Sequence, residues 1–254
     1  MKTTSLLTLT MVSGSLLTLS LSAQAQLTGI LAPNSPHNFS QRAWNNVNGD
    51  KNTVCSVCHT PHNADPTTGP LWNHAPISAV GWTMYANGVS PGGSMASAYV
   101  APTAPNPSSL ACLSCHDGSI AVNAYGGTVN GTPEFVTNGA AISQLTKNLT
   151  HSHPISFNYQ SLVGNGPTQD KWLWPVGNAV LTPDANSPGF VPGNNMSVQG
   201  FLLDSQGNVE CTSCHDVHNQ VGSPYDIVNN PHLVKLNGTA GGVGSLLCRS
   251  CHNK

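Results

Sequence analysis

One long apolar run stands out in this chain of 254 residues, from Leu6 to Leu21 behind Met1-Lys2, and it ends near Ala23-Gln-Ala25. Thr8, Thr10, Ser13, Ser15 and Thr18 interrupt it, so it makes a poor permanent membrane helix, while its small-residue end suits signal peptidase. The pattern predicts a secretory signal over residues 1–25 and one domain over residues 26–254, beginning at Gln26. No later apolar stretch is long enough to span a bilayer, so no membrane span is expected.

Beyond the signal, hydrophobic periodicity is weak. From Gln26 to Asp50, turn residues around Ser35-Pro-His37 and Trp44 carry no helical period, and the segment reads as an arm. Gly88 to Pro107 is rich in Gly, Pro, Ser and Ala and holds Pro102, Pro105 and Pro107, which rules out a helix there. Ser109-Leu-Ala ahead of Cys112 reads as an N-cap with one short helical turn. A short helix is expected from about Gly139 to Asn148. Val198 to Leu203 and Val209 to Cys211 flank Asp204-Ser-Gln-Gly-Asn208, a pattern that reads as a β-hairpin. The expected fold class is mostly irregular coil with short helices and a few short β-hairpins.

Composition sharpens this picture. Charged residues make up 7% of the chain and the formal net charge is −2, so no basic patch can neutralise a run of phosphates and nucleic acid is excluded as a partner. With 25 glycines and 19 prolines, the composition in isolation leans toward loop or disorder.

The cysteines change that judgement. All 8 fall in four copies of C-x-x-C-H: Cys55/Cys58/His59, Cys112/Cys115/His116, Cys211/Cys214/His215 and Cys248/Cys251/His252. Two thiols at that spacing can add to the two vinyl groups along one porphyrin edge, and the next residue then places its imidazole under the iron. Structural zinc or a redox dithiol would also use C-x-x-C pairs. A histidine after every pair arises by chance roughly once in a few hundred thousand. Four covalently bound c-type haems (heme c, Fe) are therefore expected, with a coil chain wrapped around them. Each supplies apolar surface that the polypeptide lacks. Export agrees with this chemistry, because unprotected C-x-x-C pairs oxidise outside the cytoplasm.

Four irons need four distal ligands. The mature chain offers His37, His62, His74, His151, His153, His218 and His232, whereas Met84, Met95 and Met196 are too few. Bis-histidine ligation is expected, with His37, His62, His153 and His218 as the distal set and with His74, His151 and His232 left open. His62 and His218 stand three residues beyond a proximal histidine and cannot easily reach the far face of their own porphyrin, so each is expected to serve a neighbouring haem. His153 precedes Pro154, which holds an extended backbone suited to presenting a ring.

Taken together, Ser35-Pro-His37, CSVCHTPHN from Cys55, Leu71-Trp-Asn-His74, CLSCHDGSIAVN from Cys112, His153-Pro-Ile-Ser-Phe157, ECTSCHDVHN from Glu210 and the terminal CRSCHNK resemble the secreted multihaem cytochromes of the doubled C-x-x-C-H type. The likeness is greatest to the OmcE-like extracellular tetrahaem proteins that polymerise into nanowires. It runs nearly the whole mature length. That resemblance implies bis-histidine haems stacked in alternating parallel and T-shaped order, inside a largely coil chain. It further implies one histidine crossing from a subunit to a haem of the next, with His62 or His37 in the matching position. His232-Leu-Val-Lys235 departs from the family pattern.

The function expected is an extracellular electron conduit and not an enzyme: a filament built from copies of the chain, secreted to the cell exterior or surface, fed by redox protein donors and drained by extracellular acceptors. The alternatives are a monomeric periplasmic electron shuttle and, less favoured, a multihaem reductase, which would need an iron with an open position.

Overall fold

A computed structural model describes residues 29–32, 35–45, 53–86, 98–136, 145–180, 197–218, 233–236 and 246–253. The signal over 1–25, His232 and most of the helix expected near 139–148 lie outside the described residues. The described chain is mostly coil with a few short helices and two small antiparallel sheets. Among the described residues no helix is long and apolar enough to cross a membrane.

The longest helix, α1 (Pro107–His116), ends on the second motif. Its length departs from the single turn expected, and its N-cap is Asn106, not Ser109. The reason is Pro107. A proline at the first helical position loses no needed N–H, brings a helical φ, and forces the residue before it to be extended. Asn106 is extended accordingly, at φ −69 and ψ 162. The helix then buries Leu110 and Leu113 against Trp82, Met84 and Leu149, so one apolar face is fixed while Cys112 and Cys115 share another, three positions apart.

A tight hairpin follows. Strands β1 (Ala124–Tyr125) and β2 (Thr128–Val129) pair antiparallel, Tyr125 opposite Thr128, across Gly126 and Gly127, whose φ values are 65 and 77. Two consecutive positive φ values are what a two-residue turn matching the strand twist requires, and glycine adopts them without a Cβ penalty.

The hairpin expected between Val198 and Cys211 does not form. Val198–Phe201 is a short helix, α2, with Ser197 capping it through Gly200 N–H. Helix α2 and its C-cap residue Leu202 bury Val198 and Leu202, four positions apart, in a core with Tyr159, Val163 and Leu246. Strand β4 (Asn208–Val209) pairs instead with a distant strand, β3 (Phe157–Asn158), Phe157 opposite Val209. Asp204-Ser-Gln-Gly-Asn208 does turn the chain, with Asp204 accepting from the N–H groups of Gln206 and Asn208. Tertiary burial decided the partner. Residues 145–148 are not helical either: Asn148 bridges Thr83 as an isolated strand contact. In the arm, Gly29–Leu31 and Phe39–Gln41 are single 3-10 turns.

Two further helices carry the remaining attachment motifs, α3 (Cys211–Cys214) and α4 (Leu246–Cys251). Helix α1 packs on α3, which brings the second and third motifs side by side. Tyr159 closes the core over α4: its hydroxyl donates to the carbonyls of Trp174 and Cys251 at 2.8 and 3.1 Å.

Candidate haem-attachment sites

The four motifs share one local shape. In the first, third and fourth the histidine N–H bonds the carbonyl of the first cysteine, His59 to Cys55 at 2.9 Å, His215 to Cys211 at 3.0 Å and His252 to Cys248 at 2.8 Å. The second motif is the last turn of α1. One helical turn therefore sets both thiols on one side and ends on the imidazole, which is the arrangement the spacing predicts. Outside the second motif the histidine begins an extended contact: His59 bridges Trp72, His215 bridges Val234 and His252 bridges Leu173.

Thiols of successive motifs lie within electrostatic reach of one another. Cys58 is pushed up to about 12 by burial, then by Cys115 and Cys55. Cys112 is raised first by its hydrogen bond with Cys211 and then by burial, and Cys211 is lowered by the same bond. Burial and the neighbouring Cys248 lift Cys214 to about 11, while burial and Cys214 lift Cys251 to about 12. The neighbours run first motif to second, second to third, third to fourth.

Distant histidines meet the motif histidines in pairs. His218 lies against His59 with ring centres 6.2 Å apart and planes at 21°, His37 against His116 at 6.0 Å and 44°, and His153 against His252 at 6.4 Å and 73°. Two imidazoles on opposite sides of one iron, each through a bond of about 2 Å, hold their ring centres about 6 Å apart. The three pairs fit that separation. Among the described residues no group of three or more His, Cys, Asp and Glu could hold a metal ion; an axially ligated porphyrin iron asks for two protein donors, not three.

Ring orientation agrees with the pairing. His59 Nδ1 donates to the Pro70 carbonyl at 3.0 Å and His153 Nδ1 to the Pro154 carbonyl at 2.8 Å. A bond at Nδ1 selects the tautomer whose Nε2 lone pair is available to a metal. His37 is lowered to about 4, first by burial and then by His116, His215 and His218, so its ring is neutral. Its Nδ1 is buried with no hydrogen-bond partner in the polypeptide. An orphaned buried ring nitrogen is costly unless a group outside the polypeptide meets it.

The other candidates fall elsewhere. His74 is buried, donates from Nδ1 to the Ala124 carbonyl at 2.9 Å, makes a second backbone contact at Val57, and packs between Trp72 and Tyr125. It joins the first motif's loop to the β1–β2 hairpin. His62 is exposed in the turn after the first motif, where the Thr60 hydroxyl donates to its carbonyl at 2.9 Å. His151 is exposed as well.

One residue escaped the sequence reading. Glu210 has no solvent exposure and accepts from Asn106, Ser109 and Ser156. Its signal was faint: an acid in front of a motif with a serine three positions on, a capping box in which Glu210 is the N-cap and the Ser213 hydroxyl accepts from the Glu210 N–H at 2.8 Å. No protein-family model matches the chain, and no curated protein matches it in sequence.

Proposed function

We propose that this protein is a secreted tetrahaem electron-transfer protein of the c type, assembling with copies of itself into an extracellular filament that conducts electrons toward external acceptors. The observation that carries the haem reading is the set of three imidazole pairs with ring centres 6.0 to 6.4 Å apart, each joining a C-x-x-C-H histidine to a histidine from a different segment. Nothing in the spacing of the four motifs requires such pairs. A porphyrin iron with two axial imidazoles does.

In this reading Cys55, Cys58, Cys112, Cys115, Cys211, Cys214, Cys248 and Cys251 form thioethers, and His59, His116, His215 and His252 are the proximal ligands. His218, His37 and His153 then serve the first, second and fourth irons. Each bound haem supplies a one-electron iron couple. The protein's part is to bury the groups, fix their axial ligands, and hold successive attachment turns against one another so that electrons pass between neighbours.

The filament rests on the third iron. His62 is exposed and is the ligand offered outward, to the His215 site of a second copy. A monomeric carrier is the competing reading. It is favoured by Leu233, whose carbonyl accepts from Asp216 N–H at 2.8 Å, and by Val234, which bridges His215; the segment entering at Leu233 runs along the third motif, and His232 directly precedes it. Electron paramagnetic resonance of the haem-loaded protein tests the reading at its base. Low-spin signals alone support a conduit, and a large high-spin signal perturbed by nitrite, sulfite or hydroxylamine would point to a reductase and contradict it.

A further inference from the structure

Glu210 stands directly before Cys211, in the interior, at 0% exposure. Asn106 Nδ2 donates to its Oε1 at 2.6 Å. The hydroxyls of Ser109 and Ser156 donate to Oε2, Ser156 at 3.0 Å, and the Ser213 backbone N–H reaches the carboxylate too. These partners come from the start of α1, the residue ahead of β3 and the first turn of α3. One carboxylate thus joins the second motif's helix, the third motif's helix and the segment that follows His153. Where α1 meets α3, Cys112 and Cys211 are already in hydrogen-bond contact.

None of the four donors carries positive charge. Burying a carboxylate among neutral donors is costly, and burial is the first cause raising its pKa, opposed by Ser109, Asn106 and Ser156. Asp204, in the turn before β4, adds to the rise. The Cys211 thiol also faces it and becomes a neutral thioether once a haem is attached; Asn106 and Ser109 on α1 and Ser156 beside β3 do not ionise in this range. Cys211 bonds the porphyrin and is not an iron ligand.

We propose that Glu210 is a positioning residue shared by the second and third attachment motifs, and that its Oε2 takes up a proton when an electron arrives at that pair of haems. The inference rests on the haem reading above. A bound haem would supply a one-electron iron couple whose iron–porphyrin core is one unit more positive when oxidised than when reduced, and the oxidised core would favour the Glu210 carboxylate. An electron reaching that core from a reduced neighbour would be matched by one proton from solvent bound at Glu210 Oε2, which would keep the buried charge balanced. The two serine hydroxyls suit both states, since each can donate to a carboxylate or accept from a carboxyl.

The test is a potentiometric and redox-difference infrared titration of the haem-loaded full chain across the neutral pH range. In the wild type, potentials at two of the haems fall with rising pH, by at most about 59 mV per pH unit, the one-electron equivalent of a tenfold change. A carboxyl C=O band rises on reduction. Glu210→Gln is expected to keep its haems, lose the band, and hold potentials that are flat with pH and above the wild type at high pH. Asn106→Ala keeps the carboxylate but removes one donor without costing α1 a cap bond, because the Asn106 side chain makes none; its pH window moves upward. The Asn106 variant decides the matter if Glu210→Gln does not fold. Wild-type pH dependence in Glu210→Gln, or an unmoved window in Asn106→Ala, overturns the proposal. A wild type without covalent haem, visible separately in a haemochrome assay, overturns the underlying reading along with it.

Discussion

At the scale of single residues, the histidines divide by what their ring nitrogens meet. His74 spends its ring on backbone groups at Ala124 and Val57, whereas His37 keeps a buried nitrogen without a polypeptide partner. Substituting each therefore reads out differently. His37→Ala is expected to convert one haem from low-spin to high-spin, seen as a new axial resonance signal with the other haems unchanged. His74→Ala leaves every haem low-spin and lowers stability instead, by about 1 to 3 kcal/mol for the unpaired backbone group it exposes, measured as a drop in melting temperature. Motif histidines were legible in the sequence because they recur in one short local spacing, C-x-x-C-H. His37, His153 and His218 were named as candidates, but which motif histidine each would face was not. His37 meets His116, and His153 meets His252, across long stretches of chain, and no local pattern encodes which distant imidazole arrives.

Among the elements, α1 shows how a helix can be underestimated. Pro107 reads as the end of a loop, yet at the first helical position it starts a ten-residue helix. Leu113, at 0% exposure in the cluster with Trp82 and Met84, anchors that helix. Leu113→Ala is expected to destabilise the folded protein by about 2 to 5 kcal/mol, measured by denaturant unfolding of the loaded protein. The β1–β2 turn supplies a complementary case. A Cβ added at Gly127 meets nothing within 4 Å, so Gly127→Ala costs only its left-handed backbone, about 1 to 2 kcal/mol, with no change in haem spin state. Alternation around Asp204-Ser-Gln-Gly-Asn208 was read correctly as a turn but wrongly as a self-contained hairpin. The apolar residues Val198 and Leu202 are also four apart, and burial against Tyr159 favours helix there, which leaves β4 to pair with β3.

For the whole molecule, the described chain has little regular structure and its apolar clusters are small, two of them joined through Phe157 and Leu173. Mostly coil architecture was foreseeable from the glycine and proline content; the serial order of the motifs, Cys58 near Cys115, Cys112 beside Cys211 and Cys214 near Cys248, was not, because it depends on contacts distant in sequence, such as α1 packing on α3. In the proposed filament, assembly would turn on which histidine completes the His215 site. His62→Ala is expected to abolish filaments in electron micrographs while the isolated subunit remains haem-loaded, and His232→Ala to leave filaments intact. The reverse outcome, filaments lost only with His232→Ala, or monomers at every concentration in the wild type, supports the carrier in place of the conduit.

The most direct measurement is the intact mass of the mature protein, purified from a host that attaches haem and recorded under denaturing conditions. The account predicts the polypeptide mass plus four covalent haems, one for each motif, retained after unfolding. A mass equal to the bare polypeptide, or one that carries zinc only under native conditions, would contradict it.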